Sequence, residues 1–112
     1  MSLREQIFGT VEERLKLQCV PVPEWGCDVY LRGWTGLERE RVEAEYERPE
    51  KTALRERILV QVLLQADGSR VFEDGDVPKL QQKSGEVIER LFGKAVKISG
   101  VAKADTEEVV KN

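Results

Sequence analysis

The hydrophobic period of this sequence changes from two to 3.6 near residue 35. Before that point apolar and polar residues alternate through two stretches, 15–19 and 27–34, which is typical of half-buried β-strands. Beyond it, apolar residues recur at helical spacing. A chain that changes period once predicts an α+β fold: an N-terminal antiparallel β-hairpin packed against about three main α-helices, mostly helical after residue 35.

The two strands are predicted to be joined by a turn at residues 24–26. A register in which paired residue numbers sum to 46 places Cys19 opposite Cys27 and brings the apolar side chains of both strands to one face. These are Leu15, Leu17, Cys19, Cys27, Val29 and Leu31. Both cysteines are therefore predicted to be small apolar core residues, with a redox pair or a disulfide as the alternative. Pro21 and Pro23 indicate an edge strand or a strand that is already leaving its sheet.

Local capping and spacing predict the helices. Thr35 and Glu38 stand three residues apart, as in a capping box, which places a helix start at residue 35. Pro49 is suited to the first position of the next helix. The predicted helices cover residues 35–48, 50–66 and 84–99, with a short helix over 77–82 and a short helical turn over 2–8.

The length of the chain, 112 residues, predicts one domain over 1–112, with 1–10 and 101–112 loosely ordered. A chain of this size buries roughly 65% of the surface that its unfolded form exposes, which is enough for one modest core.

The absence of histidine removes most catalytic and metal-binding arrangements from consideration. The net charge of −3 disfavours nucleic-acid binding, and the apolar stretches are too short to span a membrane. The acidic residues 73–76 predict a turn rather than a calcium loop. We expect a cytoplasmic protein with reduced thiols that is not an enzyme and has no cofactor, no metal site and no catalytic residues.

Four hairpin residues are candidates for contact with a partner: Val20, Val22, Tyr30 and Trp34. In the predicted register they share the face opposite to the two cysteines. One interpretation is a second buried face that the helices cover. The other is an exposed apolar strip that binds a partner, since Trp and Tyr are favoured at interface centres. The apolar stripe of the helix at 84–99 has the same two interpretations, core or partner groove.

The order of several short segments resembles the tail assembly chaperones of long-tailed bacteriophages and prophages. The resemblance covers roughly residues 20–100. It is carried by Val22-Pro23-Glu24-Trp25-Gly26, Val29-Tyr30-Leu31-Arg32, Thr35-Gly36-Leu37-Glu38-Arg39, Leu63–Gln65, Asp67-Gly68, Arg70-Val71-Phe72, Asp76-Val77-Pro78-Lys79-Leu80 and Ile88-Glu89-Arg90-Leu91-Phe92.

This resemblance implies a non-enzymatic protein that coats the long tape measure protein, keeps it soluble during tail assembly, and self-associates. The tail tube protein is a further candidate partner. The alternatives are a structural tail or head–tail subunit and a small host adaptor domain. The acidic composition with apolar stripes is compatible with shielding a partner helix.

Overall fold

The computed structural model describes residues 1–100 as one β-hairpin and five α-helices. They are α1 (Leu3–Gly9), β1 (Gln18–Val22), β2 (Cys27–Leu31), α2 (Gly36–Glu47), α3 (Leu54–Val62), α4 (Val77–Leu80) and α5 (Gly85–Ser99), with 3₁₀ turns at Glu13–Leu15, Pro23–Trp25 and Asp74–Asp76. The α+β prediction is confirmed, and α2, α3 and α5 are the three main helices. The loosely ordered segment predicted at 101–112 lies outside the described residues.

The predicted hairpin register is wrong by three residues. Paired numbers sum to 49, so that Cys19 lies opposite Tyr30 and Cys27 opposite Val22. The turn decides this: a 3₁₀ turn over Pro23–Trp25 is followed by Gly26 at a φ of +67°, where glycine is favoured. Because the sum is odd, even-numbered residues of β1 share a face with odd-numbered residues of β2.

The corrected register exchanges the faces of β1 and leaves those of β2 unchanged. Val20 and Val22 face the core together with Val29 and Leu31, whereas both cysteines are exposed. The prediction that the cysteines belong to the core is therefore wrong. The grouping of Val20 and Val22 with Tyr30 on one face is wrong as well.

The second strand is flanked on its other side by the segment after α3. The backbone N–H of Tyr30 donates to the carbonyl of Leu64 at 2.8 Å, and the N–H of Leu64 donates back at 2.9 Å. Leu64 also forms a bridge with Arg70. The first strand thus remains at the edge, as its prolines predict, since Pro21 has no N–H to offer a further strand.

The helix predicted over 50–66 is shorter at both ends. It begins at Leu54 after Ala53, whose φ is +60°, and ends at Val62 because Leu63 and Leu64 are extended. The pairing of Leu64 with Tyr30 and Arg70 overrides the helical propensity of the sequence there. Pro49 therefore does not open a helix.

The remaining helices follow their predicted signals. Thr35 and Glu38 form the capping box of α2 through hydrogen bonds of 3.2 and 2.8 Å. Gly100, with a φ of +83°, follows the end of α5 as a left-handed cap.

One apolar core joins the inner face of the hairpin to α2, α3, α4 and α5. Its buried members include Val20, Val22, Val29, Leu31, Val42, Ile58, Leu59, Leu63, Leu80, Val87, Ile88, Leu91, Phe92, Ala95 and Val96. The stripe of α5 is thus core, as the first interpretation of that helix predicts.

Arg57 is the one charged side chain in the buried set of the described residues, at 8% exposure. Its guanidinium lies 2.7 Å from Glu45 and donates to the backbone carbonyls of Thr52 and Glu50. These acceptors satisfy the buried charge and join α3 to the loop that follows α2.

Candidate partner-binding surfaces

The outer face of the hairpin is left uncovered by the helices. This outer hairpin face consists of Cys19, Pro21, Asp28 and Tyr30, and the exposed Leu17 precedes it in the chain. Tyr30 is half-buried, and its backbone is fixed by the two hydrogen bonds to Leu64. The face therefore presents an aromatic ring and small apolar groups on a rigid strand.

Tyr30 is the titratable aromatic group of this face. The Cys19 side chain opposite it raises the pKa of the phenol through charge and hydrogen bonding, and burial and Asp28 act in the same direction. The phenol stays protonated at neutral pH and keeps its O–H as a hydrogen-bond donor. A rigid ring with one polar tip is the side-chain type that contributes most at the centres of protein interfaces.

Trp34 packs half-buried against the core rather than beside Tyr30. Its indole N–H is buried and has no hydrogen-bond partner among the described residues. The preceding Gly33 donates its N–H to the carbonyl of Arg14 at 2.5 Å, and a Cβ at Gly33 would meet that oxygen at 2.6 Å. The 3₁₀ turn over Glu13–Leu15 is thereby joined to the end of β2.

The four predicted contact residues are thus separated by the fold. Val20 and Val22 are 4% and 0% exposed, so the helices cover them. Tyr30 lies on the outer hairpin face, and Trp34 lies against the core. Partner contact by any of the four stays a prediction.

A second uncovered surface is an apolar groove between the hairpin turn and α4. Its volume is about 380 Å³, within the size range of ligand pockets. We call it the turn groove, and it is lined by Trp25, Cys27, Val29, Val71, Phe72, Asp76, Lys79, Leu80 and Lys83. No signal in the sequence predicts this groove. Its walls come from three segments that are distant along the chain, and hydrophobic periodicity does not indicate which distant segments lie together.

A second depression, of about 290 Å³, contains Arg32, Arg41 and Arg70. Arg32 forms a bidentate pair with Glu38 at 2.7 and 3.2 Å, and Arg70 lies 2.7 Å from Asp74. Its charges are largely compensated within the chain.

Arg70 has two further roles in that depression. It lowers the pKa of the Asp74 carboxyl by hydrogen bonding and charge. It also donates to the carbonyl of Val60 in the last turn of α3. These contacts favour a structural role.

Helix α1 presents a third uncovered surface. None of its residues is buried, and Leu3, Ile7 and Phe8 are 72%, 59% and 75% exposed. Their spacing of four and five positions was the signal in the sequence that this helix has an apolar face.

Residues 1–100 contain no group of three or more His, Cys, Asp or Glu side chains that could hold a metal ion. No helix within them is both long enough and apolar enough to cross a membrane.

The fold is that of a phage tail assembly chaperone. A solved structure described as the bacteriophage HK97 tail assembly chaperone superimposes with a TM-score of 0.62 over 89% of this chain and 96% of that chain, at 23% identity. The family model for phage tail assembly chaperones matches residues 2–112. The chain therefore belongs to the phage tail assembly chaperone family, as the order of its motifs predicts. No curated protein matches it.

Membership of this family bears on the partners of the chain and on catalysis. Phage tail proteins are the implied partners of the chain. Tail assembly chaperones are not known to be enzymes, and the absence of catalytic residues in this chain stays a prediction.

Proposed function

We propose that this chain binds the tape measure protein of its phage and keeps it soluble, in the cytoplasm of the host cell, until the tail tube forms around it. The observation that carries the proposal is the match of the family model to residues 2–112. The chain acts as a single domain in multiple copies and without catalysis, and the tail tube protein is a second candidate partner.

The outer hairpin face is the surface we assign to the tape measure protein. Tyr30 supplies an aromatic anchor on a strand that the Leu64 hydrogen bonds hold in place. Contact by Trp34 would lie outside this face, since its half-buried ring packs against the core beyond the end of β2. Val20 and Val22 support this face from beneath, because their side chains fill the core under the strand. An apolar face on an edge hairpin suits an amphipathic helix of a partner.

The test is a tagged pull-down from cells that produce the phage, with the bound proteins identified by mass spectrometry. The wild-type chain should recover one very long helical protein. Tyr30→Asp and Cys19→Asp should each lower this recovery roughly tenfold, since both place a charge at the interface. Leu37→Asp is the matched control, because Leu37 is 57% exposed and belongs to α2 rather than to the hairpin.

Purified virions separate the chaperone from its alternatives. A chaperone should be absent from finished particles, whereas a structural tail or head–tail subunit would remain in them. Recovery of host proteins alone would point to an adaptor domain and overturn the proposal.

A further inference from the structure

Helix α1 is an apolar segment that no other part of residues 1–100 covers. Leu3 and Ile7 lie one turn apart on one face, and Phe8 adjoins them with the Arg4 guanidinium 5.2 Å from its ring centre. Apolar side chains of this size are less favourable in water than when they are buried, so their exposure is unfavourable for an isolated molecule. The helix is nevertheless well formed, with Ser2 as its N-cap.

The turn groove is the apolar surface that matches this helix. Trp25, Phe72 and Leu80 form its walls, and the exposed Val71 lies at its rim. The turn groove lies at the start of β2, because Cys27 is part of its lining. The 3₁₀ turn that follows α1 is held at the other end of β2, where Gly33 donates its N–H to Arg14. At strand spacing Cys27 and Gly33 are about 20 Å apart.

The charges of the two surfaces are complementary. Glu5 borders the apolar face of α1, and its carboxylate makes no ion pair within residues 1–100. Lys79 and Lys83 border the groove and are likewise unpaired within this part of the chain. Arg4 on α1 has a counterpart in Asp76 of the groove.

We propose that α1 of one copy of this chain docks in the turn groove of a second copy, with Leu3, Ile7 and Phe8 against Trp25 and Phe72 and with Glu5 beside Lys79 and Lys83. This inference rests on the self-association in the proposed function and adds the surfaces that carry it. It places the contact between copies away from the outer hairpin face, so that one chain can bind a second copy and the tape measure protein at the same time.

Cys27 allows a direct test, because it is an exposed thiol in the lining of the groove. In a Cys19→Ser background, Ile7→Cys should form a disulfide with Cys27 of another copy when the two thiols are oxidised by diamide. Non-reducing gels should then show covalent dimers. Leu37→Cys in the same background is the matched control and should give several-fold fewer dimers.

The products distinguish docking between copies from docking within one chain. A disulfide within one chain would consume both thiols and leave a monomer band, which would overturn the proposal. A dimer yield equal to that of the control would overturn it as well. Neither result depends on the tape measure protein, so failure of this inference is separable from failure of the proposed function.

A charge exchange tests the same contact without a cross-link. Glu5→Lys and the double variant Lys79→Glu/Lys83→Glu should each weaken self-association roughly tenfold in sedimentation equilibrium, and the combination of all three changes should restore it. Ile7→Asp should weaken it at least as much, and Leu37→Asp should not. Unchanged association in the Ile7→Asp variant, or the absence of association in the wild type, would contradict the proposal.

Discussion

Arg90 on α5 and Glu24 in the hairpin turn form a bidentate ion pair with two contacts of 2.7 Å, although 66 positions separate them in the chain. The pair fastens the longest helix to the turn that fixes the register of the hairpin. Both side chains are nearly half exposed, so the interaction is screened by salt.

This ion pair predicts a pH dependence of stability. Hydrogen bonding to Arg90 lowers the pKa of Glu24 from 4.5 to about 2. A lowered pKa stabilises the folded state above pH 4.5, and this contribution is lost as the pH falls toward about 2. Urea titrations across that range should show a smaller acid-induced loss for Glu24→Gln than for the wild type. Equal losses would mean that the pair is not maintained in solution.

The buried Arg57 predicts a large loss of stability on truncation. Arg57→Ala should lower the free energy of unfolding by about 3 kcal/mol, because it removes a buried guanidinium together with its ion pair to Glu45 and its hydrogen bonds to two backbone carbonyls. Arg39 is the matched control, since its pair with Glu43 is exposed and Arg39→Ala should cost about 0.5 kcal/mol. Similar losses for the two variants in chemical denaturation would contradict a buried ion pair.

Substitution by alanine should change the stability of the fold in opposite directions at two glycines. Gly33→Ala should destabilise by about 1–3 kcal/mol, because its Cβ would meet the Arg14 carbonyl. Gly93→Ala should stabilise by about 0.5–1 kcal/mol, since Gly93 lies inside α5 with open space around it. Thermal unfolding of both variants measures the two signs, and a stabilising Gly33→Ala would refute the close approach of the turn to β2.

Leu91 tests the packing of α5 on α3. It is completely buried, so Leu91→Ala should cost about 2–5 kcal/mol of unfolding free energy. The exposed Leu37 is the matched control, and Leu37→Ala should stay within about 0.5 kcal/mol of the wild type. A small effect at Leu91 in denaturant titrations would place α5 outside the core.

The sequence predicts those elements whose signals are local. Thr35 and Glu38 mark the start of α2 because both partners of the capping box lie within one turn. The stripe of α5 places it in the core because its period is sustained over the whole helix. Family membership follows from the order of such local segments, each of which is common on its own.

The features that the sequence does not predict depend on contacts between residues distant in the chain. The register of the hairpin follows from the left-handed Gly26, which shifts the pairing by three residues and turns Cys19 to the outer face. The end of α3 follows from the pairing of Leu64 with Tyr30, 34 positions earlier in the chain. The turn groove combines the hairpin turn, the segment after Arg70 and α4, and no periodicity brings these three together.

The most direct test of the proposed function is the solubility of the tape measure protein. That protein should be expressed alone, with the wild-type chain, with Tyr30→Asp and with Leu37→Asp, and its soluble fraction measured after centrifugation. We expect the wild type and Leu37→Asp to keep it in the supernatant, and Tyr30→Asp to leave it in the pellet as when expressed alone. A tape measure protein that stays equally soluble without the chain, or that is not rescued by the wild type, would contradict the account.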